Sequence, residues 1–211
     1  MTITVLNVPY QEKEQAKALG ARWSTAQKAW YVPKGVSVEA FAQWIPELNY
    51  NIKADKFYIA RSTCVCWACH KDTFVYALAI PGTAKYLEYN EQTKEAEWIS
   101  NIHSNVVFIS YLKNFTPSIE PTLKQIAPKL RRDYSKTVEF KYWMNHCEHC
   151  GMKQGDFGLH QESDAPFWPI THQCAQRIRL ITMDMPIECE GSGYGGYSSN
   201  MEEIYSSLMF G

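Results

Sequence analysis

The sequence predicts an α+β protein in two parts. Three observations carry that reading. The first 48 residues alternate short β-like runs with helical periods, and two C-x-x-C pairs, Cys66–Cys69 and Cys147–Cys150, are each entered and left by β-rich runs. A long segment, 71–145, with strand and helix patterns of its own, separates the pairs.

Residues 2–8 read as a strand, with Ile3, Val5 and Val8 apolar and Pro9 at its end. Gln11 to Leu19 has a helical period with Ala16 and Leu19 on one side, and Gly20 stands where a helix C-cap belongs. Ala21–Trp23 and Lys28–Val32 read as strands around the loop 24–27, and Pro33 ends the second. Ser37 is a suitable N-cap for a second helix, with Ala40, Phe41 and Trp44 inward and Pro46 beyond it. The result is a β-α-β-β-α module over 1–48, small for independent stability.

Farther on, Lys56–Ala60 reads as a strand entering the first cysteine pair, and Thr73–Ile80 as one leaving it. Lys85–Tyr89 and Glu95–Ile99 form a hairpin. Val106–Leu112 fits a buried strand or a short helix equally. Ser118–Leu130 reads as a helix with Leu123, Ile126 and Leu130 inward, limited by Pro121 and Pro128. Lys136–Met144 is a strand feeding the second pair, Gln154–His160 a short strand after it, and Thr171–Ile181 a helix. The domains expected are therefore 1–48, then 49–190 with the insertion 71–145. Residues 191–211 are expected as a linker and tail, the linker starting at the Gly/Ser/Tyr run from Gly191, with a terminal helix at 201–210.

The four thiols Cys66, Cys69, Cys147 and Cys150 make up a full tetrahedral ligand set, and four sulfurs favour zinc over magnesium, calcium or manganese. Two knuckled hairpins facing one ion are the layout of a zinc ribbon, here with a long α/β insertion expected to carry its own sheet. Such an insertion is tolerable because loop-closure entropy grows slowly with length. An iron–sulfur cluster, a rubredoxin-like iron or redox cysteines are the alternatives. Cys64 stands two residues before Cys66, in poorer knuckle geometry. His70, His146 and His149 crowd the knuckles as surface or supporting residues. Cys174 and Cys189 read as small hydrophobes, and His160 and His172 as structural. Asp156, Glu162 and Asp164 read as a solvated loop. A four-cysteine site leaves no open position for water. With no G-x-S-x-G, P-loop or H-E-x-x-H present, the expected set of catalytic residues is empty.

Seven cysteines, a start without a secretory pattern and no apolar run near the roughly 20 residues that span a bilayer predict a reducing, cytoplasmic location away from membranes. A net charge of −1 argues against a generally basic nucleic-acid coat, though a local patch remains open. Arg22, Trp23, Lys28, Trp30 and Tyr31 mix basic and aromatic character on one hairpin, a pattern suited to phosphates and unpaired bases. A two-residue period also allows Trp23 and Trp30 to point inward against Phe41 and Trp44, leaving Arg22, Lys28 and Tyr31 exposed. Lys129, Arg131, Arg132, Lys136 and Lys141, with Tyr134 and Tyr142, either extend that surface or form a solvated face.

The string Leu6-Asn7-Val8-Pro9-Tyr10, with Leu19-Gly20-Ala21-Arg22-Trp23 and Trp30-Tyr31-Val32-Pro33, resembles a small bacterial module of unknown function. That module is found beside primase-like and helicase-like domains on plasmids and phages, which implies a role near nucleic acid. Asn145 to Gly151, followed by Gln154 to Phe157, is similar to a bacterial zinc-ribbon family, with Glu148-His149 where Pro-His is common. The function expected is a zinc-binding, non-enzymatic, nucleic-acid-binding accessory protein of a bacterium or mobile element. Its partner would be single-stranded DNA or a protein of the DNA-processing or defence machinery. The alternative is a protein–protein interaction factor, such as a phage-encoded inhibitor or adaptor.

Overall fold

The computed structural model describes residues 4–25, 29–45, 50–91, 95–100, 105–193 and 203–210. The fold is mixed, mostly β with short helices, and it divides into two compact units, Met1–Leu48 and Asn49–Gly211. Among the described residues no helix is long and apolar enough to cross a membrane.

In the first unit, β1 (Thr4–Leu6) leads through a 3-10 turn into α1 (Lys13–Ala18). β2 (Arg22–Ser24) and β3 (Ala29–Val32) follow, then a 3-10 helix over Glu39–Trp44. The three strands pair antiparallel in the order β1-β3-β2. Gly20, at φ +104°, ends α1 with two bonds: its own N–H to Lys17 O (2.9 Å) and that of Ala21 to Ala16 O (3.0 Å). This is the Schellman arrangement, and it needs the left-handed conformation that glycine adopts without steric cost. Leu6, Ala16, Ala21, Val32, Phe41 and Trp44 form the core. The Trp44 indole donates to the Glu12 carboxylate at 2.5 Å, tying the last element to the first helix. The expected helix after Ser37 is a 3-10 segment capped by Val38, while the Ser37 hydroxyl bonds the Glu39 carboxylate. Three residues per turn align Phe41 with Trp44 and leave Ala40 exposed.

The second unit contains β4 (Ile52–Ala54), β5 (Phe57–Val65), β6 (Asp72–Ile80), β7 (Lys85–Asn90), β8 (Glu95–Ser100) and β9 (Val107–Phe115). After them come α2 (Glu120–Ile126), β10 (Leu130–Tyr134), β11 (Lys141–His146), β12 (Lys153–Gln154), α3 (Asp156–His160) and α4 (His172–Ala175). β13 (Arg179–Met183), β14 (Ile187–Gly193) and β15 (Met209–Phe210) complete it. A nine-stranded sheet runs β15-β13-β5-β6-β9-β14-β4-β7-β8, and a three-stranded sheet runs β10-β11-β12. β13 and β15 are parallel; the other pairs are antiparallel.

The centre of the large sheet is buried on both faces. Phe57 and Ile59 of β5, with Tyr76, Leu78 and Ile80 of β6, enter one core, closed by Ile119, Leu123, Ala127 and Leu130. The intervening Tyr58, Ala60, Val75, Ala77 and Ala79 enter a second, closed by Leu159, Phe167, Ala175, Ile178, Ile204, Tyr205 and Leu208. Strands covered on both sides read as continuous apolar runs, which is why β6 carries no polar alternation.

Several expectations are corrected here. The insertion is expected to carry its own sheet, but β6 to β9 share the sheet of β5, β13 and β14, and of its described strands only β10 and β11 lie in a separate one, with β12. The 118–130 helix shortens to α2, since Pro121 lies in its first turn and Ala127, before Pro128, leaves the helical region. Residues 154–160 yield α3 rather than a strand, and 171–181 splits into α4 and β13. In β13 Leu180 serves one core while Ile181 and Met183 pack on the other, so the segment lacks a one-sided pattern. Among the described residues the C-terminal segment is helical at 203–205, and β15 follows. The first glycines of the expected linker belong to β14, where a Cβ on Gly191 would meet Ile109 Cγ2 at 2.6 Å. Residues 194–200 lie outside the described residues.

Asp156, expected in a solvated loop, is buried at the start of α3 and accepts the Tyr111 N–H at 2.6 Å. Tyr111 is left-handed (φ 50°), at the point where β9 passes from pairing with β6 to pairing with β14 alone. Burial raises the Asp156 carboxyl from 3.8 to about 7, against the pull of the Tyr111 amide. Burial lowers His160 from 6.5 to about 3. The folded chain thus holds the Asp156 proton more tightly than the unfolded chain, and its contribution to stability is lost as pH rises from about 4 through about 7. His160 acts oppositely, its contribution falling away as pH drops from about 6.5 toward 3. Urea titrations across this range should show Asp156→Asn gaining stability relative to the parent as pH rises; parallel curves would contradict this account.

Candidate metal centre

Each cysteine pair sits in the turn of a hairpin: Cys66 and Cys69 between β5 and β6, Cys147 and Cys150 between β11 and β12. The two turns have the same backbone. The Cys66 N–H donates to Lys71 O and the Cys147 N–H to Met152 O, both at 2.9 Å. The His70 N–H donates to Cys66 O and the Gly151 N–H to Cys147 O, again both at 2.9 Å. The residue after the second cysteine is left-handed in both turns, His70 at φ 58° and Gly151 at φ 73°. Glycine takes this conformation freely, whereas histidine is held there at a cost of roughly 1–2 kcal/mol.

The four sulfurs all lie within 4.8 Å of one another and could hold a metal ion. Cys66 and Cys150 approach to 3.7 Å, as do Cys69 and Cys147, so the closest contacts run between the hairpins. All seven cysteines are free thiols, and among the described residues neither Cys64 nor any histidine belongs to the cluster. The Cys150 amide, helped by that of His149, draws the Cys147 thiol down to about 6. The Cys69 and Ala68 amides lower Cys66 likewise. At Cys150 the Met152 amide favours the thiolate, but burial and the three neighbouring sulfurs prevail and push it up to about 12. Four sulfurs this close resist full ionisation by themselves, and a bound cation relieves that repulsion. Burial raises Cys64 to about 11, as expected of a bystander thiol.

The hairpins also lock each other directly. Trp67 Nε1 donates to Lys153 O at 2.8 Å, and His149 Nε2 lies 2.9 Å from Asp72 O, so each turn reaches the other's outgoing strand. The Glu148 carboxylate accepts from Phe74 N–H (3.1 Å), and the Thr73 hydroxyl accepts from Glu148 N–H (3.0 Å). The buried Asn145 side chain takes both backbone groups of Tyr76, donating to its O at 2.9 Å and accepting from its N at 2.8 Å. Gln154 donates to Cys66 Sγ at 3.3 Å. His146 is buried, with Nδ1 near Met144 O (2.9 Å) and Nε2 near Asp133 (3.1 Å). Burial of Asp133 opposes its ionisation, yet His146 and Lys153 hold it down at about 2. Sequence reasoning passed over Asn145 and Gln154; the signal was an amide on each strand flanking the second knuckle.

The basic–aromatic group in the first unit splits between two faces. Trp23 and Trp30 are cross-strand partners, as are Leu6 and Trp30, and this face meets the core. Trp30 packs against that core, whereas Trp23, on the edge strand, is 49% exposed and meets Trp30 edge-on at 5.6 Å. The inward reading therefore fits Trp30 and fails for Trp23, because β2 lies at the rim. Lys17 Nζ stands 6.0 Å from the Trp30 ring. Arg22 and Tyr31 are partners on the opposite face, Arg22 exposed and Tyr31 half-buried. Lys28 lies outside the described residues. In the second basic stretch Arg131, Arg132, Tyr134, Lys136 and Lys141 are exposed and Tyr142 is buried.

Residues 4–46 match a family described as a domain of unknown function, DUF5710. Two Escherichia coli proteins named DNA primase TraC are each similar to part of the chain. One is 57% identical over 42 residues, covering 20% of this chain and 4% of the primase. The other is 56% identical over 39 residues, covering 18% of this chain and 3% of the primase. The similarity thus spans a small part of either protein. No solved structure matches the chain.

Cys66→Ser or Cys147→Ser should release stoichiometric metal and lower the melting temperature, as read by elemental analysis and thermal melts. A variant that keeps both would overturn the assignment. Gly151→Val should destabilise the protein by about 1–2 kcal/mol in urea, because φ 73° is left-handed, while His70→Gly should be tolerated.

Proposed function

We propose that this chain is a zinc-binding, non-enzymatic accessory protein of DNA processing that contacts single-stranded DNA through its N-terminal unit. Trp23 carries the reading: an indole left half exposed at the rim of the first unit, in a chain part of which is similar to proteins named DNA primase. An exposed indole stacks on an unpaired base without regard to sequence, and Arg22 and Lys28 supply charge for phosphates.

Zinc is the ion of this proposal. A zinc–sulfur distance of about 2.3 Å in a tetrahedron implies sulfur–sulfur edges of ~3.8 Å. The two cross-hairpin contacts of 3.7 Å agree. The arrangement is ribbon-like, two knuckled hairpins on one ion, and four sulfurs fill a tetrahedral shell. The ion's role is then to hold β5–β6 against β11–β12, and no catalytic group is assigned.

Gel-shift titrations of single-stranded and duplex DNA over a range of salt test this. Binding should favour the single strand and weaken as salt rises. Arg22→Ala/Lys28→Ala and Trp23→Ala should each weaken it several-fold with an unchanged circular dichroism spectrum. Absence of binding at low salt would remove the proposal, and iron in place of zinc on elemental analysis would remove the metal assignment.

A further inference from the structure

We propose that the β7–β8 ribbon is a docking edge for an extended, basic segment of another protein, which adds as a strand alongside β8. β8 is the last strand of the large sheet, and among the described residues no strand pairs with its outer edge. β7 is tied to β4 at Ile52–Tyr86 and Lys53–Lys85, and the Leu87 N–H donates to Asn51 O at 2.9 Å, so from Glu88 onward the ribbon leaves the body of the sheet. Every residue of β8 is exposed. A two-stranded ribbon with water on both faces is marginal by itself, and an open edge is a template for another strand.

The two faces differ. Leu87 opposite Trp98 and Tyr89 opposite Ala96 form an apolar face, with Leu87, Trp98 and Tyr89 exposed at 37%, 36% and 62%. Glu88 opposite Glu97 and Asn90 opposite Glu95 place three carboxylates on the other. Like charges directly across a ladder disfavour the pairing. They also decide the occupant. A second copy laid antiparallel on β8 would continue the acidic face with more glutamates, so self-pairing is opposed by charge. Nucleic acid is opposed in the same way. A strand with lysine or arginine on one face and apolar residues on the other completes both faces. Lys53, whose ammonium sits 3.9 Å from the Trp98 ring centroid, shows that the apolar face also accepts a cation.

Amide hydrogen exchange on the full chain tests this, with three short peptides as probes: alternating valine and lysine, valine and glutamate, or serine and lysine. The valine–lysine peptide should slow exchange in β8, with the other two far weaker. Glu95→Lys/Glu97→Lys should reverse the preference toward valine–glutamate, and Trp98→Ala should weaken the parent response several-fold. Unchanged exchange in β5 and β6 shows that the variants remain folded. The proposal falls if no peptide protects β8, if valine–lysine and valine–glutamate protect it equally, or if serine–lysine does as well as valine–lysine. It falls also if β8 is protected by self-association alone at rising protein concentration. None of these outcomes depends on DNA binding.

Discussion

The second unit depends on the meeting of two hairpin tips. Cys66 and Cys69 stand at one end of a long, well-paired hairpin, while Cys147 and Cys150 cap a hairpin whose outgoing strand has two residues. The short hairpin cannot be stable alone, since isolated ribbons are marginal even when longer. Four sulfurs, the Asn145 amide and the crossed contacts of Trp67 and His149 attach it to the larger sheet. The β11–β12 hairpin is therefore the element that would gain most from an ion held by the four sulfurs, since the free energy of such binding adds to that of folding.

Around that junction the large sheet is a partition. Alternate residues of β5 and β6 serve two separate cores, one closed by α2 and the other by α3, α4 and the C-terminal segment. The strained Tyr111 and the buried Asp156 sit where β9 parts from β6. Residues left-handed without being glycine persist where the surroundings hold them. Here the hold is one carboxylate delivered by α3.

The sequence discloses local features well and shared ones poorly. Gly20 is legible as a helix stop because left-handed backbone has few tenants, and the cysteine pairs are legible because their spacing is that of a knuckle. The β7–β8 hairpin is legible from two short runs around a polar loop. β13 is harder: its two faces feed different cores, so its apolar residues look helical in number and lack period. α3 is missed because Asp156 looks like a surface residue until the protein around it is known. Trp23 and Trp30 share one face by register, but whether an indole is covered depends on strand order, and β2 lies at the rim.

The position of β14 has a consequence for synthesis. It lies between β9 and β4, and β4, β7 and β8 reach the rest of the sheet through it. A chain emerging from the ribosome carries all of those earlier strands before Ile187 appears, so they wait unjoined until the intervening residues have been made. The first thiol pair waits similarly for the second. Closure of the sheet is thus a long-range event that follows the synthesis of every strand β14 joins, and those strands stay exposed on the nascent chain until then.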